Sequence, residues 1–461
     1  MAIQADLQRW LQRVVVVRPG EGRALGWSFA YFFCLLAGYY VLRPLRDEMG
    51  IAGGVRNLQW LFTATFVVML AAVPVFGALV ARLPRRRFIA LVYHFFVGNI
   101  AIFWVLLTFD IAKVEVARVF FVWISVFNLF AVSVFWSFMA DLFASEQGKR
   151  LFGFIAAGGS AGALVGPAVT IGLAAPLGPV NLLFVAALLL ELAVLCASRL
   201  ESAAAQIEST PGALEIERVS VAAKAAPAAA PASQPLGGGW LAGIVLLLRS
   251  PYLGGIALWV CLLSLAGTFL YFQQAHIVAA ASDDPAVRTR MFASIDLAIG
   301  MLTILVQCLA TGRLITRFGV GAAAALLPLV FALGFVALAL APVLIVVIAF
   351  QAIQRTANFA ISNPAREVLF TAVEREEKYK AKNVIDIVVF RGADAVGGWL
   401  FAALRGAGFE LATISLAAVP LAGVWLALAI ALGRAHERRA QQRRIVDPRS
   451  IADGRDASAM R

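Results

Sequence analysis

The sequence predicts an all-helical membrane protein with about twelve membrane-spanning helices in two six-helix bundles. Three observations support this fold class. The chain has 461 residues, of which 61% are hydrophobic and only 14% charged, far from the composition of a soluble domain. The apolar residues form stretches of roughly 20, the length at which a helix crosses a bilayer core. A Pro- and Ala-rich segment separates six of these stretches from the other six.

Each span is predicted from a continuous apolar run bounded by charged or turn-forming residues. A helix in lipid satisfies its backbone hydrogen bonds internally, so each run is expected to cross the bilayer as a helix. In chain order the predicted spans are 24–42, 60–81, 88–108, 117–140, 152–173, 179–198, 252–274, 292–311, 321–340, 343–363, 384–404 and 409–432.

Domain boundaries follow from the segment between spans 6 and 7. Residues 201–239 contain Ala-Pro runs and three consecutive glycines and are predicted to form a flexible cytoplasmic linker. An N-terminal bundle, 1–200, precedes the linker. A C-terminal bundle, 240–433, and a basic cytoplasmic tail, 434–461, follow it. The segment 77–84 after span 2 is echoed by 312–319 after span 8, which favours two bundles related by an axis along the membrane normal and rocking about a central cavity.

The net charge of +12 is distributed unevenly along the chain. With the amino terminus in the cytoplasm, about three quarters of the Lys and Arg residues fall in cytoplasmic segments, which is the positive-inside bias. We therefore predict that both termini are cytoplasmic. The arginines of the tail are expected to contact lipid headgroups, not a nucleic acid.

Several functional classes are disfavoured by what the sequence lacks. The four cysteines lie singly in different spans, which gives neither a disulfide spacing nor a paired metal-ligand spacing. The sequence has no Ser/His/Asp arrangement, phosphate-binding glycine loop or helical His pair with Glu. The sequence therefore predicts neither an enzyme nor a bound cofactor or metal.

Ionisable residues within the spans are the candidate functional residues, since each costs about 2.5–3.5 kcal/mol at the centre of a membrane helix unless it meets a cavity or a partner. Arg391 and Asp394 are three residues apart and share a helix face, which permits an internal ion pair. The other interpretation is that arginines here bind an anionic substrate through two parallel hydrogen bonds. Asp296 and Glu191 have no cation within one helical turn and are either silent protonated acids or proton-coupling sites.

These observations give two candidate sets. The basic and polar residues predicted to contact substrate are Arg43, Arg46, Arg355, Arg391, Gln273 and Gln274. The acidic residues predicted to form ion pairs or to couple transport to protons are Asp47, Asp141, Glu191, Asp296 and Asp394.

Span 5 has small residues four apart, Gly158, Gly162 and Gly166, which predict close contact with another helix.

Three groups of residues in order along the chain are Leu42-Arg43-Pro44-Leu45-Arg46-Asp47, then Phe135-Trp136-Ser137-Phe138 with Glu146-Gln147-Gly148-Lys149-Arg150, then Arg366-Glu367, Glu377-Lys378-Tyr379-Lys380-Ala381-Lys382, Ile385-Asp386 and Arg391-Gly392.

In order and spacing these groups resemble the ATP/ADP translocase family, the nucleotide exchangers of intracellular bacteria and plastids, with relatives in free-living bacteria. The resemblance implies a major facilitator-like fold and counter-exchange of a nucleotide or another organic anion. It also implies a set of basic positions, Arg46, Lys149, Arg366 and Arg391, with Glu367, Asp386 and Asp394 as their partners. The family usually has lysine where this chain has Asp394, and an anion there is unfavourable for ATP.

The function predicted from the sequence is a carrier of the bacterial inner membrane that works by alternating access and exchanges nucleotides or phosphorylated metabolites. Its partners are a small anionic substrate and membrane lipids. Two alternatives stay open. One is a proton-coupled facilitator of an unrelated small molecule, with Asp296, Glu191 or Asp394 carrying the proton. The other is a membrane scaffold that does not transport.

Overall fold

The computed structural model describes residues 21–82, 85–143, 145–208, 240–309, 311–373 and 375–446. Every regular element in these ranges is a helix. The α-helices are α1 Glu21–Ala52, α2 Leu58–Arg82, α3 Arg85–Thr108, α4 Lys113–Leu142, α5 Ser145–Leu177, α6 Leu182–Glu208, α7 Trp240–Arg249, α8 Pro251–Ala281, α9 Pro285–Leu309, α10 Thr311–Leu340, α11 Leu344–Ala357, α12 Asn363–Leu369, α13 Arg375–Asn383, α14 Phe390–Gly406 and α15 Leu411–Val446.

Twelve helical stretches within the described ranges are long and apolar enough to cross a membrane. The predicted fold class and the predicted number of spans are therefore confirmed, and the protein is a multi-pass membrane protein. The first span is longer than predicted: the sequence ended it at residue 42, whereas α1 continues through a charged segment to Ala52. Helix α6 reaches Glu208, inside the predicted linker, and α15 reaches Val446, inside the predicted tail. Residues 209–239 and 447–461 lie outside the described residues.

The described residues divide into two compact units. The first unit lies within Met1–Gly54, Val68–Pro235 and Ser282–Leu297, and the second within Val55–Val67, Leu236–Ala281 and Ala298–Arg461. The start of α2 thus belongs to the second unit and the start of α9 to the first. The division predicted at 201–239 instead assigns the whole of α2 to the N-terminal bundle and the whole of α9 to the C-terminal bundle. Its boundaries stay a prediction.

Helix α1 is central in the first unit and packs against α4, α5 and α6. Glycines on α5 allow this approach. A Cβ added at Gly162 would lie 2.5 Å from the carbonyl oxygen of Phe33, and one added at Gly166 would lie 2.7 Å from that of Ala37. Separations this short are incompatible with a side chain, so α5 meets the α1 backbone directly. This is the close helix contact that the small-residue spacing predicts.

Substituting Gly162→Ala should therefore destabilise the first unit by about 1–3 kcal/mol, the usual cost of overpacking a tight contact. Gly172→Ala is the matched control on the same helix, because an added Cβ there meets nothing within 4 Å. Thermal unfolding of the two purified variants in detergent is the measurement. Equal unfolding midpoints would show that the α1–α5 contact is looser than described.

The second unit is built on two long helix pairs, α10 with α15 and α8 with α14. The ring of Trp425 contacts those of Trp259 and Phe331, with centroids 5.6 and 5.4 Å apart. Two π-helical segments interrupt the regular hydrogen bonding: Asn358–Ser362 between α11 and α12, and Val384–Val389 between α13 and α14. Such segments are frequent at functional sites. Here they follow Arg355 and precede Arg391.

Candidate functional site

The charged end of α1 meets the start of α9 within the first unit. A nitrogen of the Arg43 guanidinium lies 3.5 Å from a carboxylate oxygen of Asp296, and the Asp296 side chain is almost fully buried. The sequence left Asp296 without a cation because its partner lies on a distant segment. The structure corrects this, and Asp296 is one half of an ion pair.

A second ion pair, which the sequence did not predict, joins the same two helices. Arg288 donates from Nε and Nη2 to the two carboxylate oxygens of Glu48, each at 2.7 Å. Its Nη1 donates to the carbonyl oxygen of Ser282 at 3.0 Å. This bidentate geometry is the strongest form of Arg–carboxylate pairing. No local spacing signals it, since Glu48 and Arg288 are 240 residues apart.

Arg46 and Asp47 complete this cluster. Arg46 Nη1 donates to Asp47 Oδ1 at 3.0 Å, and the guanidinium lies 3.9 Å from the centroid of the Phe121 ring. The cluster thus contains three arginines and three carboxylates: Arg43, Arg46 and Arg288 with Asp47, Glu48 and Asp296. Its formal charge is zero, and the substrate contacts predicted for Arg43 and Arg46 stay a prediction.

Asp394 is buried in the second unit and has three partners. Thr268 Oγ1 donates to Asp394 Oδ1 at 3.1 Å, and Arg391 Nη1 lies 3.3 Å from Oδ2. The Ser264 hydroxyl contacts the same carboxylate and also lies 2.7 Å from the carbonyl oxygen of Phe390. The Arg391–Asp394 ion pair that the sequence permits is therefore present. The two hydroxyls, from α8, were not predicted.

The remaining residues of the translocase-like segments pair locally in the second unit. Arg366 Nη1 lies 3.0 Å from Asp386 Oδ1, and Lys382 Nζ lies 2.6 Å from Glu367 Oε1. Arg366 and Asp386 are both positions that the resemblance implies, whereas Glu367 pairs with Lys382, which is not one of its basic positions. Lys149 lies in the first turn of α5, and its side chain is outside the described residues.

Both predicted glutamines are buried in contacts between helices. Ser415 Oγ on α15 donates to Gln273 Oε1 at 2.9 Å, and Gln351 Nε2 on α11 donates to Gln274 Oε1 at 2.6 Å. Buried amides paired in this way hold membrane helices together. In this conformation these contacts occupy the amide oxygens that the sequence assigned to a substrate.

The three remaining predicted residues are Glu191, Asp141 and Arg355. The Glu191 side chain is partly exposed, and its carboxylate lies 3.4 Å from His94 Nε2. Its role as a coupling or ion-pair residue stays a prediction. Asp141 is exposed at the end of α4, and Arg355 is half-buried near the end of α11.

A buried cluster that was not predicted joins α1 to α5, where Arg150 and Gln147 both donate to Glu21 at 3.0 Å.

Within the described residues no group of three or more His, Cys, Asp or Glu side chains is arranged to hold a metal ion. Two arginines within the spans lie beside single carboxylates instead, Arg43 beside Asp296 and Arg391 beside Asp394.

Known structures place the chain in a fold class. It matches the crystal structure of the nucleoside transporter NupG with a TM-score of 0.57 at 14% sequence identity, over 91% of this chain and 99% of that one. It matches a bacterial homologue of the human lysosomal transporter Spinster with a TM-score of 0.54 at 15% identity, over 92% and 99%. The fold is therefore that of the major facilitator-type transporters.

A third match is a POT family transporter in complex with 5-aminolevulinic acid, with a TM-score of 0.56 at 13% identity over 90% of this chain and 96% of that one. No model of a known protein family matches this chain, and neither does any curated protein. The resemblance to the ATP/ADP translocases thus rests on the sequence segments alone.

Proposed function

We propose that this protein is a secondary transporter that works by alternating access and exchanges organic anions bearing phosphate or carboxylate groups, nucleotides first among them. The observation that carries the proposal is the pairing of mid-span arginines with single carboxylates, Arg43 with Asp296 and Arg391 with Asp394. Ion pairs at this depth in a bilayer are costly, and those that remain usually serve a substrate or ion pathway.

The two pairs have the geometry of contacts that a ligand can displace. Their N–O distances are 3.5 and 3.3 Å, against 2.7 Å for Arg288 and Glu48. The side chains of Arg43 and Arg391 are 16% and 30% exposed, whereas their acids are more deeply buried. An incoming phosphate can therefore approach the arginine and bind it through two parallel hydrogen bonds, which a carboxylate at these distances does not make.

This arrangement also favours exchange over one-way uptake. With no substrate, the carboxylates hold each arginine in place and the empty carrier stays in one conformation. An anion that binds one of these arginines displaces its carboxylate and shifts the equilibrium by its differential affinity for the two states. Conformational change then accompanies loading in both directions, and the carrier exchanges one anion for another across the bacterial inner membrane, with both termini cytoplasmic.

Proteoliposomes preloaded with unlabelled ATP and ADP test this proposal. We expect uptake of labelled nucleotide to be stimulated several-fold by the internal nucleotide and to be lost in Arg391→Gln. Empty liposomes and liposomes with the Arg391→Gln variant are the controls. If internal substrate does not stimulate uptake of nucleotides or of other phosphorylated metabolites, the exchange proposal is wrong.

One observation favours a second candidate, a proton-coupled facilitator. The single proton of the Ser264 hydroxyl serves one acceptor, yet this oxygen contacts both the Phe390 carbonyl and the Asp394 carboxylate. A proton on Asp394 would satisfy both contacts. In that case a pH gradient would drive uptake into liposomes without internal substrate, which the exchange proposal does not predict.

A further inference from the structure

An exposed face of the first unit carries an ionisable pair within its candidate membrane spans. His94 on α3 and Glu191 on α6 contact each other at 3.4 Å, yet their side chains are 55% and 42% exposed. His94 Nδ1 also lies 2.7 Å from the carbonyl oxygen of Ala90 in its own helix. The contact with the Ala90 carbonyl fixes the position of the His94 ring. Both side chains of the pair remain exposed at the protein surface.

The depth of this pair makes its exposure costly. Along α6, Glu191 is eight residues from the nearest charged residue, Arg199, and along α3, His94 is seven from Arg87. At 1.5 Å per residue these separations are about 10–12 Å. Both residues lie inside candidate spans, Ile89–Thr108 and Leu182–Ala203, with Glu191 near the middle of its span, so the pair lies within the hydrocarbon core. Lipid headgroups do not reach this depth. Hydrocarbon cannot form the hydrogen bonds that water would form with the exposed donor and acceptor.

Most of the exposed surface near the pair is apolar. Large exposed side chains border it on both helices, among them Leu91, Phe95, Leu188 and Leu195. A polar pair within such a face is the pattern of a contact between membrane helices, where packing supplies area and a few hydrogen bonds supply specificity.

We propose that this face, formed by α3 and α6 around His94 and Glu191, docks a second copy of the chain. One donor group beside one acceptor group is self-complementary, as a twofold interface requires. Both copies have the same orientation in the bilayer, so the axis relating them runs along the membrane normal and keeps each residue at its own depth. His94 of each copy then faces Glu191 of the other at one level, and four polar groups satisfy one another.

Cross-linking in proteoliposomes that contain only this protein tests the docking. The background has Cys34, Cys196, Cys261 and Cys308 replaced by alanine. Leu188→Cys, one helical turn from Glu191, is compared with Val424→Cys on α15, because both residues are 61% exposed. We expect a short thiol cross-linker to give a reducible band at twice the mass of the 49.3-kDa chain with Leu188→Cys but not with Val424→Cys.

A second variant separates docking from random encounter. Replacing both His94 and Glu191 with leucine suits a lipid-facing surface and opens no cavity, so the unfolding midpoint should not fall. We expect dimerisation of this variant to be about tenfold weaker, equivalent to about 1.4 kcal/mol. Equal cross-linking of Leu188→Cys and Val424→Cys would overturn the proposal, as would undiminished dimerisation of the leucine variant. Neither outcome depends on transport activity.

Discussion

Replacing Arg288 with alanine should lower the unfolding midpoint of the purified protein by about 5–10 °C. The Glu48 side chain is only 1% exposed, and its two oxygens are bound by this one guanidinium. Removing one partner of a buried ion pair typically costs about 3–5 kcal/mol, because the remaining charge is left uncompensated. Thermal unfolding in detergent, followed by tryptophan fluorescence, gives the midpoint.

The double variant Glu48→Ala/Arg288→Ala should recover most of the loss, since neither charge then remains buried. The pair formed by Asp110 and Lys113 is the matched control: its N–O distance is 2.9 Å, but both side chains are exposed. Asp110→Asn should change the midpoint little, because exposed pairs contribute about 0–1 kcal/mol and asparagine tolerates the left-handed backbone of this residue, whose φ is 51°. If Arg288→Ala is as mild as Asp110→Asn, the Glu48 carboxylate reaches water and the contact between α1 and α9 is not a buried one.

Local patterns in the sequence predict most of this fold. Runs of apolar residues of bilayer length locate the spans without reference to tertiary structure, and the glycine spacing of α5 identifies its contact with α1. The error at the end of α1 has a physical cause. Arg43, Asp47 and Glu48 look like a loop in sequence, but partners on α9 neutralise two of them, so the helix continues through a charged segment.

The candidate site was less predictable because most of its contacts are not local. Arg391 and Asp394 are three residues apart, and their pairing follows from helix geometry alone. The pairing of Arg43 with Asp296 joins opposite halves of the chain, and no spacing rule connects them. Glu191 shows the converse limit. Its helix is apolar on every side, so the sequence pattern carries no signal for which face meets lipid.

Replacing Asp394 with asparagine should preserve the second unit and strengthen anion binding about tenfold, equivalent to about 1.4 kcal/mol. The amide oxygen of asparagine can accept the hydrogen bonds from Thr268 and Ser264, so the contact between α8 and α14 survives. What disappears is the negative charge that competes with substrate for Arg391. Because the Arg391 side chain is 30% exposed, leaving it without its acid costs less than stranding a buried charge.

The ATP concentration that gives half-maximal exchange of labelled ATP in proteoliposomes measures this effect. Asp110→Asn is the control for loss of a carboxylate elsewhere. Exchange by Asp394→Asn should continue and saturate at a lower ATP concentration. The reason is that Arg391 then binds phosphate without a competing negative charge beside it. The proton-coupled candidate predicts the opposite result. If Asp394 carries the proton, asparagine abolishes uptake driven by a pH gradient and gives no gain in nucleotide affinity, and the role assigned to Arg391 would have to be withdrawn.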